Sequence, residues 1–242
     1  MKVDRVTLTG ADDSTNPAEL FRISEKYPFV EWGILLSDRV EGNNRFPSLS
    51  WVHDFVGLYE EHMDVGNKIN ISGHICGKWV REICKGNWDN FSNHHADLEQ
   101  YLQRVQLNFH AYLHKVDEEP FIEGLKEMGY GQVIFQLDDI NNSILDVAQS
   151  RGINAAPLFD LSGGTGVLPK KWPEARDCYC GYAGGLSPAN LSQQLDIISE
   201  SVGDRTIWID AETHVRSLDD RVFDLNKVER FLEIAEAYVE VD

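Results

Sequence analysis

The stretch FDLSGGTGV, residues 159–167, is where the reading of this chain turns. An apolar run ends on the carboxylate of Asp160, and Gly163, Gly164 and Gly166 follow almost at once. Glycine loses more freedom on ordering than any other residue, so three of them after a strand-like run require a tight turn or a close approach of backbone to a ligand. Which of the two applies depends on the sheet that the strand joins.

Similar apolar, β-branched runs recur on both sides of it. They are RVTLT (5–9), VEWGILL (30–36), KINIS (68–72), RVQLNF (104–109), QVIFQL (132–137), NAAPLF (154–159), CYCGYA (178–183) and TIWI (206–209). Between most of them lie segments of helical periodicity, including PAELFRISEKY (17–27), SLSWVHDFVGLYEEHM (48–63) and NKVERFLEIAEAYVEV (226–241). Strands alternating with helices imply parallel pairing through right-handed crossovers. Eight units in 242 residues fit a (β/α)8 barrel, whose usual length is about 250 residues. A doubly wound open sheet is the rival, but TLTGADDSTNP (7–17) lacks the G-x-G-x-x-G spacing that a dinucleotide-binding first turn needs. The third unit is extended: residues 78–104 read as a helix, a polar turn and a second helix. The sixth crossover is short, with only LPKKWPEA (168–175) to span it, and one domain over 1–242 is expected.

Composition narrows the function. Hydrophobic residues make up 42% of the chain, enough for a sizeable core, and 40 acidic against 22 basic residues give a formal charge of −18. Such a surface repels nucleic acid and anionic membranes, so an anionic ligand has to be held by local features such as oriented backbone N–H groups. No run approaches the ~20 apolar residues of a membrane span, and MKVDRVTLTG passes straight into a strand pattern without a signal-peptide core, so a cytoplasmic protein is expected. Cys76, Cys84, Cys178 and Cys180 read as reduced thiols. No pair has the two-residue spacer of a zinc knuckle, so no metal and no cofactor are expected.

The end of the chain resembles a known family. FDLSGGTGVLPKKW (159–172), YAGGLSPANL (182–191) and IDAETHVRSLDDRVFDLNKVERFLEIAE (209–236) are similar to the last three units of phosphoribosylanthranilate isomerases. VQLNF (105–109) is similar to their fourth strand, and WGILLSDRVEGNNRFPS (32–48) to their second strand and following loop. The resemblance implies an Amadori rearrangement of a phosphorylated aminoribose, in which a general acid opens the ring and a general base removes the C2 proton. It places the general acid at Asp160 and a substrate-contacting carboxylate at Asp210. Phosphate is expected on Gly163, Gly164, Thr165, Gly184, Gly185 and Ser187, consistent with the habit of barrels to hold it at the last strand ends. Thr9, Arg45, Asn108, Asp138 and His214 are the expected substrate contacts.

The pattern breaks at two places on the same face. The family has Lys-Ile-Cys-Gly on strand one, with cysteine as base, where this chain has Thr7-Leu8-Thr9-Gly10. A threonine hydroxyl accepts no proton near neutrality without an activating base. On strand eight the family's Ser-Gly becomes Thr213-His214, which removes a glycine from the cradle. Replacement bases are His74, His110 and Asp138, of which His74 is carried forward as catalytic. His94 and His95 read as the start of a solvated helix, and His53 and His62 as members of an amphipathic one. Two functions compete: acid–base chemistry of isomerase or lyase type on a small phosphorylated sugar derivative, with the original isomerisation lost, and a non-catalytic barrel binding such a ligand or a protein. A metal-dependent lyase or hydrolase using His74 and Cys76 is a weaker third.

Overall fold

A computed structural model describes residues 1–64, 66, 68–108, 116–137, 141–160 and 165–239. Eight parallel strands close into a barrel in chain order: β1 (Lys2–Thr9), β2 (Val30–Leu36), β3 (Asn70–Ile75), β4 (Arg104–Leu107), β5 (Gln132–Leu137), β6 (Ala155–Asp160), β7 (Cys180–Ala183) and β8 (Thr206–Ala211), with β8 pairing back onto β1. The helices among the described residues are α1 (Pro17–Lys26), α2 (Leu49–Asp64), α3 (Gly77–Ile83), α4 (Asp89–Glu99), α5 (Glu118–Met128), α6 (Asn142–Ser150), α7 (Leu191–Val202) and α8 (Leu225–Ala235). The (β/α)8 expectation holds in its details. The third unit carries two helices, α3 and α4, and among the described residues no helix lies between β6 and β7.

Local chemistry sets the helix ends. Asn16 accepts from the amide of Ala18 ahead of Pro17 at the first turn of α1, and Asp224 accepts from the amides of Asn226 and Lys227 at the start of α8. The strands are covered on both sides, as the seven buried residues of β2 illustrate. Outside the sheet, Leu8, Trp32, Phe21, Phe55, Phe223 and Phe231 belong to one apolar core shared with the helices.

The barrel interior is filled by a mixed layer. Glu31, wholly buried, accepts from Arg5 at 3.0 Å and from the Thr7 hydroxyl at 2.8 Å, and pairs with Arg104 at 3.4 Å. The Arg104 guanidinium lies 4.4 Å from the centre of the Trp208 ring. Trp208 in turn needs a glycine opposite: a Cβ on Gly181 would come within 2.1 Å of its ring. Above this floor lie the C-terminal ends of the strands.

Two readings of the sequence are corrected by the fold. β3 starts and ends later than KINIS implied, because its pairing with β2 continues through Leu35↔His74 and Leu36↔Ile75. His74 therefore lies inside the strand, facing the interior, and not in the loop after it. His94 and His95 sit in the middle of α4, not at its start, and His95 is buried because that face of the helix packs on Trp79 and Phe91.

Candidate functional site

The ends of β6, β7 and β8 bring two carboxylates to one level. Asp160 on β6 is in register with Ala183 on β7, and Ala183 with Asp210 on β8, so the two acids flank a small side chain at the barrel mouth. Asp160 accepts a 2.6 Å hydrogen bond from Gln136 Nε2. Asp210 accepts from the Thr9 hydroxyl at 3.2 Å. Thr9 is itself buried, and it stands so close to β2 that a Cβ on Gly33 would fall 2.1 Å from its hydroxyl.

Glu212 completes the acidic cluster. Burial, then the charges of Glu212, Asp160 and Glu31, push the Asp210 carboxyl well above the ordinary range, against the opposing hydrogen bond of Thr9. Glu212 is also raised, chiefly by burial, with Arg45 opposing and Asp160 and Asp220 adding to it. Asp210 is thus held in its proton-carrying form to higher pH than an ordinary aspartate. Sequence reasoning passed over Glu212 and Gln136. The signal was present, since Glu212 follows Asp210 by two residues, one position past the end of β8, where barrels present their functional groups.

One side of the mouth is closed by an ionic network joining the loops after β1, β2 and β8. Arg45, at a positive φ of 74°, donates its amide to Asp12 at 2.7 Å, its Nε to Asp220 at 2.8–2.9 Å and its Nη1 to Glu212 at 2.5 Å. The wholly buried Arg216 donates to Asp12 at 2.8 Å, to Asp220 at 2.7 Å and to the carbonyl of Gly10. Burial alone would raise the Asp12 carboxyl, but hydrogen bonds from Ser14 and Arg45 and the charge of Arg216 hold it below its ordinary value. Arg45 is in this way placed at the mouth with its charge already matched.

The other side is neutral. Burial, reinforced by Arg104, lowers His74 to about 3, so its imidazole stays uncharged, and its Nε2 has no hydrogen-bond partner among the described residues. Cys76 is pushed up to about 12 by burial and remains a thiol; Asn108 donates to its sulfur at 2.9 Å and accepts from Gln106 at 3.1 Å. His74 and Asn108 therefore stand across the barrel from the acids, and the raised carboxyls keep their protons to higher pH than ordinary carboxyls, whereas His74 stays neutral.

The glycine-rich loops meet at the same end of the barrel. Gly185, at φ 71°, lies so near the crossover from β6 that a Cβ would fall 2.5 Å from the amide nitrogen of Leu168. Gly166 packs on Thr213, and His214 Nε2 donates to the Gly166 carbonyl at 2.8 Å. Gly184 precedes at φ 109°, and Thr165 is exposed beside Gly166. The Ser187 amide is committed to Asn190 Oδ1 at 2.8 Å, while Asn190 Nδ2 donates to the Gly185 carbonyl. Gly163, Gly164, Asp138 and His110 lie outside the described residues.

A closed (β/α)8 barrel with a carboxylate-rich C-terminal mouth is the class of protein that this fold and site define. Solved structures share the fold. The phosphoribosyl anthranilate isomerase of Thermococcus kodakaraensis matches with a TM-score of 0.53 at 15% identity, over 96% of this chain and 98% of that one. Monomers generated from the dimeric phosphoribosylanthranilate isomerase of Thermotoga maritima match at 0.56 and 15%, with the same coverage. Tryptophan synthase from Pyrococcus furiosus matches at 0.54 and 12%, over 96% of this chain and 100% of that one. At these identities the likeness is one of fold. No family model and no curated protein matches the sequence. Among the described residues no helix is long and apolar enough to cross a membrane.

Proposed function

We propose that this barrel binds a small phosphorylated sugar-type ligand at its mouth and performs acid–base chemistry of isomerase or lyase type on it. The observation that carries the reading is the pair Asp160 and Asp210 on either side of Ala183, with the Asp210 carboxyl raised above its ordinary range by burial and neighbouring acids. Two carboxyls in unlike environments divide the work: Asp210 donates a proton to a ligand oxygen and Asp160 accepts one from carbon. The loops after β6 and β7 are the place for the phosphate, in keeping with barrels generally. Thr9 is not taken to replace a cysteine base, because a hydroxyl is a poor proton acceptor and this one already donates to Asp210. The rearrangement catalysed by phosphoribosylanthranilate isomerases is accordingly not the activity proposed.

A non-catalytic binding barrel is the second reading, favoured by the Thr9 hydroxyl standing where a base is expected and donating to Asp210. Thermal-shift titration with ribose 5-phosphate, ribose and inorganic phosphate separates the two when combined with NMR detection of deuterium uptake at carbon in D2O. The expected result is a shift by the phosphorylated sugar exceeding that by ribose, with deuterium uptake that Asp160→Asn and Asp210→Asn abolish while keeping the shift. Binding without uptake in the unaltered protein selects the binding-only barrel. No shift with any phosphorylated pentose or hexose at millimolar concentration overturns both.

A further inference from the structure

Away from the mouth, the connection between β2 and α2 touches the outer helix α4 through a set of groups with metal-ligand chemistry. Glu41 Oε2 lies 2.7 Å from His94 Nε2, and His95 is the next residue. Taking one ligand atom each from Glu41, His94 and His95, all three lie within 4.8 Å of one another. Adjacent residues of a regular helix project about 100° apart, but at His95 the backbone leaves helical values, with φ −116° and ψ 23°, and the two imidazoles stand 4.7 Å apart between centroids. They border a cavity of about 340 Å³ that His53 and Asp97 also line.

His95 supplies an independent observation. It is only 4% exposed, and among the described residues neither of its ring nitrogens has a hydrogen-bond partner. A buried polar group without a partner is rare in folded proteins and calls for an unseen water or ion. Its walls are the Phe91 ring at 5.1 Å and the Trp79 ring at 6.2 Å, which offer no acceptor for a ring N–H.

We propose that Glu41, His94 and His95 form a binding site for a late first-row divalent cation, with zinc as its representative, that fastens the β2–α2 connection onto α4. Two imidazoles and one carboxylate are a donor set suited to such ions and poorly suited to magnesium or calcium, which prefer oxygen. At metal–ligand distances of about 2.0–2.1 Å the donors of a tetrahedral site stand roughly 3.3 Å apart, so side-chain rotation alone can close the triangle, and water fills the remaining position. The proton now bridging His94 and Glu41 leaves Nε2, moving to Nδ1 of a neutral ring or to solvent from a charged one. Because the same connection carries Arg45 to Glu212 and Asp220, the cation braces one wall of the barrel mouth from outside.

The test is calorimetric titration of chelator-treated protein with zinc chloride in the presence of excess magnesium, paired with thermal unfolding. One equivalent of zinc is expected to bind and to raise the midpoint, with Glu41→Gln and His94→Ala each weakening binding at least tenfold and removing the thermal gain. His95→Gln adds a third arm if it folds; Glu41→Gln and His94→Ala decide the matter if it does not. His53→Ala and Asp97→Asn are expected to leave both affinity and stoichiometry unchanged. Nickel is expected to quench tryptophan emission in the unaltered protein by an amount that Trp79→Phe removes. Absence of saturable zinc binding, binding abolished by magnesium, or binding that Glu41→Gln and His94→Ala leave unmoved overturns the site.

Discussion

Asp210 is a carboxyl surrounded by like charges and little water, and its titration has consequences that can be measured. Its folded-state pKa lies above its unfolded value, so folding takes up a proton. The contribution is therefore full below the unfolded pKa of about 3.9 and is lost as pH rises through the folded value. Asp210→Asn keeps an oxygen to accept from Thr9 while removing the charge that burial opposes. The variant is expected to gain more stability at pH 8 than at pH 5 relative to the unaltered protein, as read by urea unfolding at both values; equal gains would show that Asp210 does not titrate between them. Thr9 lends itself to a second check. Since it donates to Asp210 in place of acting as a base, phosphoribosylanthranilate turnover is expected to be absent, and any trace to rise in Thr9→Cys. Efficient turnover by the unaltered protein, followed by anthranilate fluorescence, would contradict this.

Elements are held at their ends as much as along their faces. α8 begins where Asp224 takes two backbone amides, those of Asn226 at 3.1 Å and Lys227 at 3.2 Å. Losing such a cap costs about 0.5–2 kcal/mol, so Asp224→Ala is expected to lower the denaturant midpoint by that amount with an unchanged slope. At β7 the constraint is volume. Gly181→Ala drives a methyl group toward the Trp208 ring, where overpacking costs about 1–3 kcal/mol, and an unaltered midpoint in this variant would mean that Trp208 can move aside.

At the scale of the molecule, Arg216 ties the start and end of the chain together. It bonds Asp12 and the Gly10 carbonyl after β1, and Asp220 after β8, with its side chain wholly buried. Removing one partner of a buried pair leaves the other charge uncompensated, at a cost of about 3–5 kcal/mol. Arg216→Met is therefore expected to lower stability by that much and to loosen the mouth, which hydrogen exchange in residues 10–16 and 212–222 would reveal. A loss below 1 kcal/mol, the range of exposed pairs, would show that solvent reaches Asp12 once the arginine is gone.

The barrel could be read from the chain because strands buried on both faces leave continuous apolar runs, and helices covering them leave a 3.6-residue period. Both are local records of a repeated contact, so VEWGILL and QVIFQL fall on β2 and β5 without adjustment. The short sixth crossover and the double helix of the third unit were legible for the same reason. Asp160 and Asp210 could be placed at the mouth from their positions at strand ends. What local pattern does not encode is the environment that neighbouring strands create. That His74 lies within β3 and stays neutral, that Glu212 joins the acids, and that Asp210 carries the raised pKa are all consequences of burial and of charges brought together across the sheet. His95 is the same case on the outside: a polar run, NFSNHHADLEQ, reads as solvated, and only the packing of α4 against Trp79 and Phe91 turns one of its histidines inward. Electrostatic character depends on distance and solvent access through space, and those are fixed only when segments remote in sequence have come together.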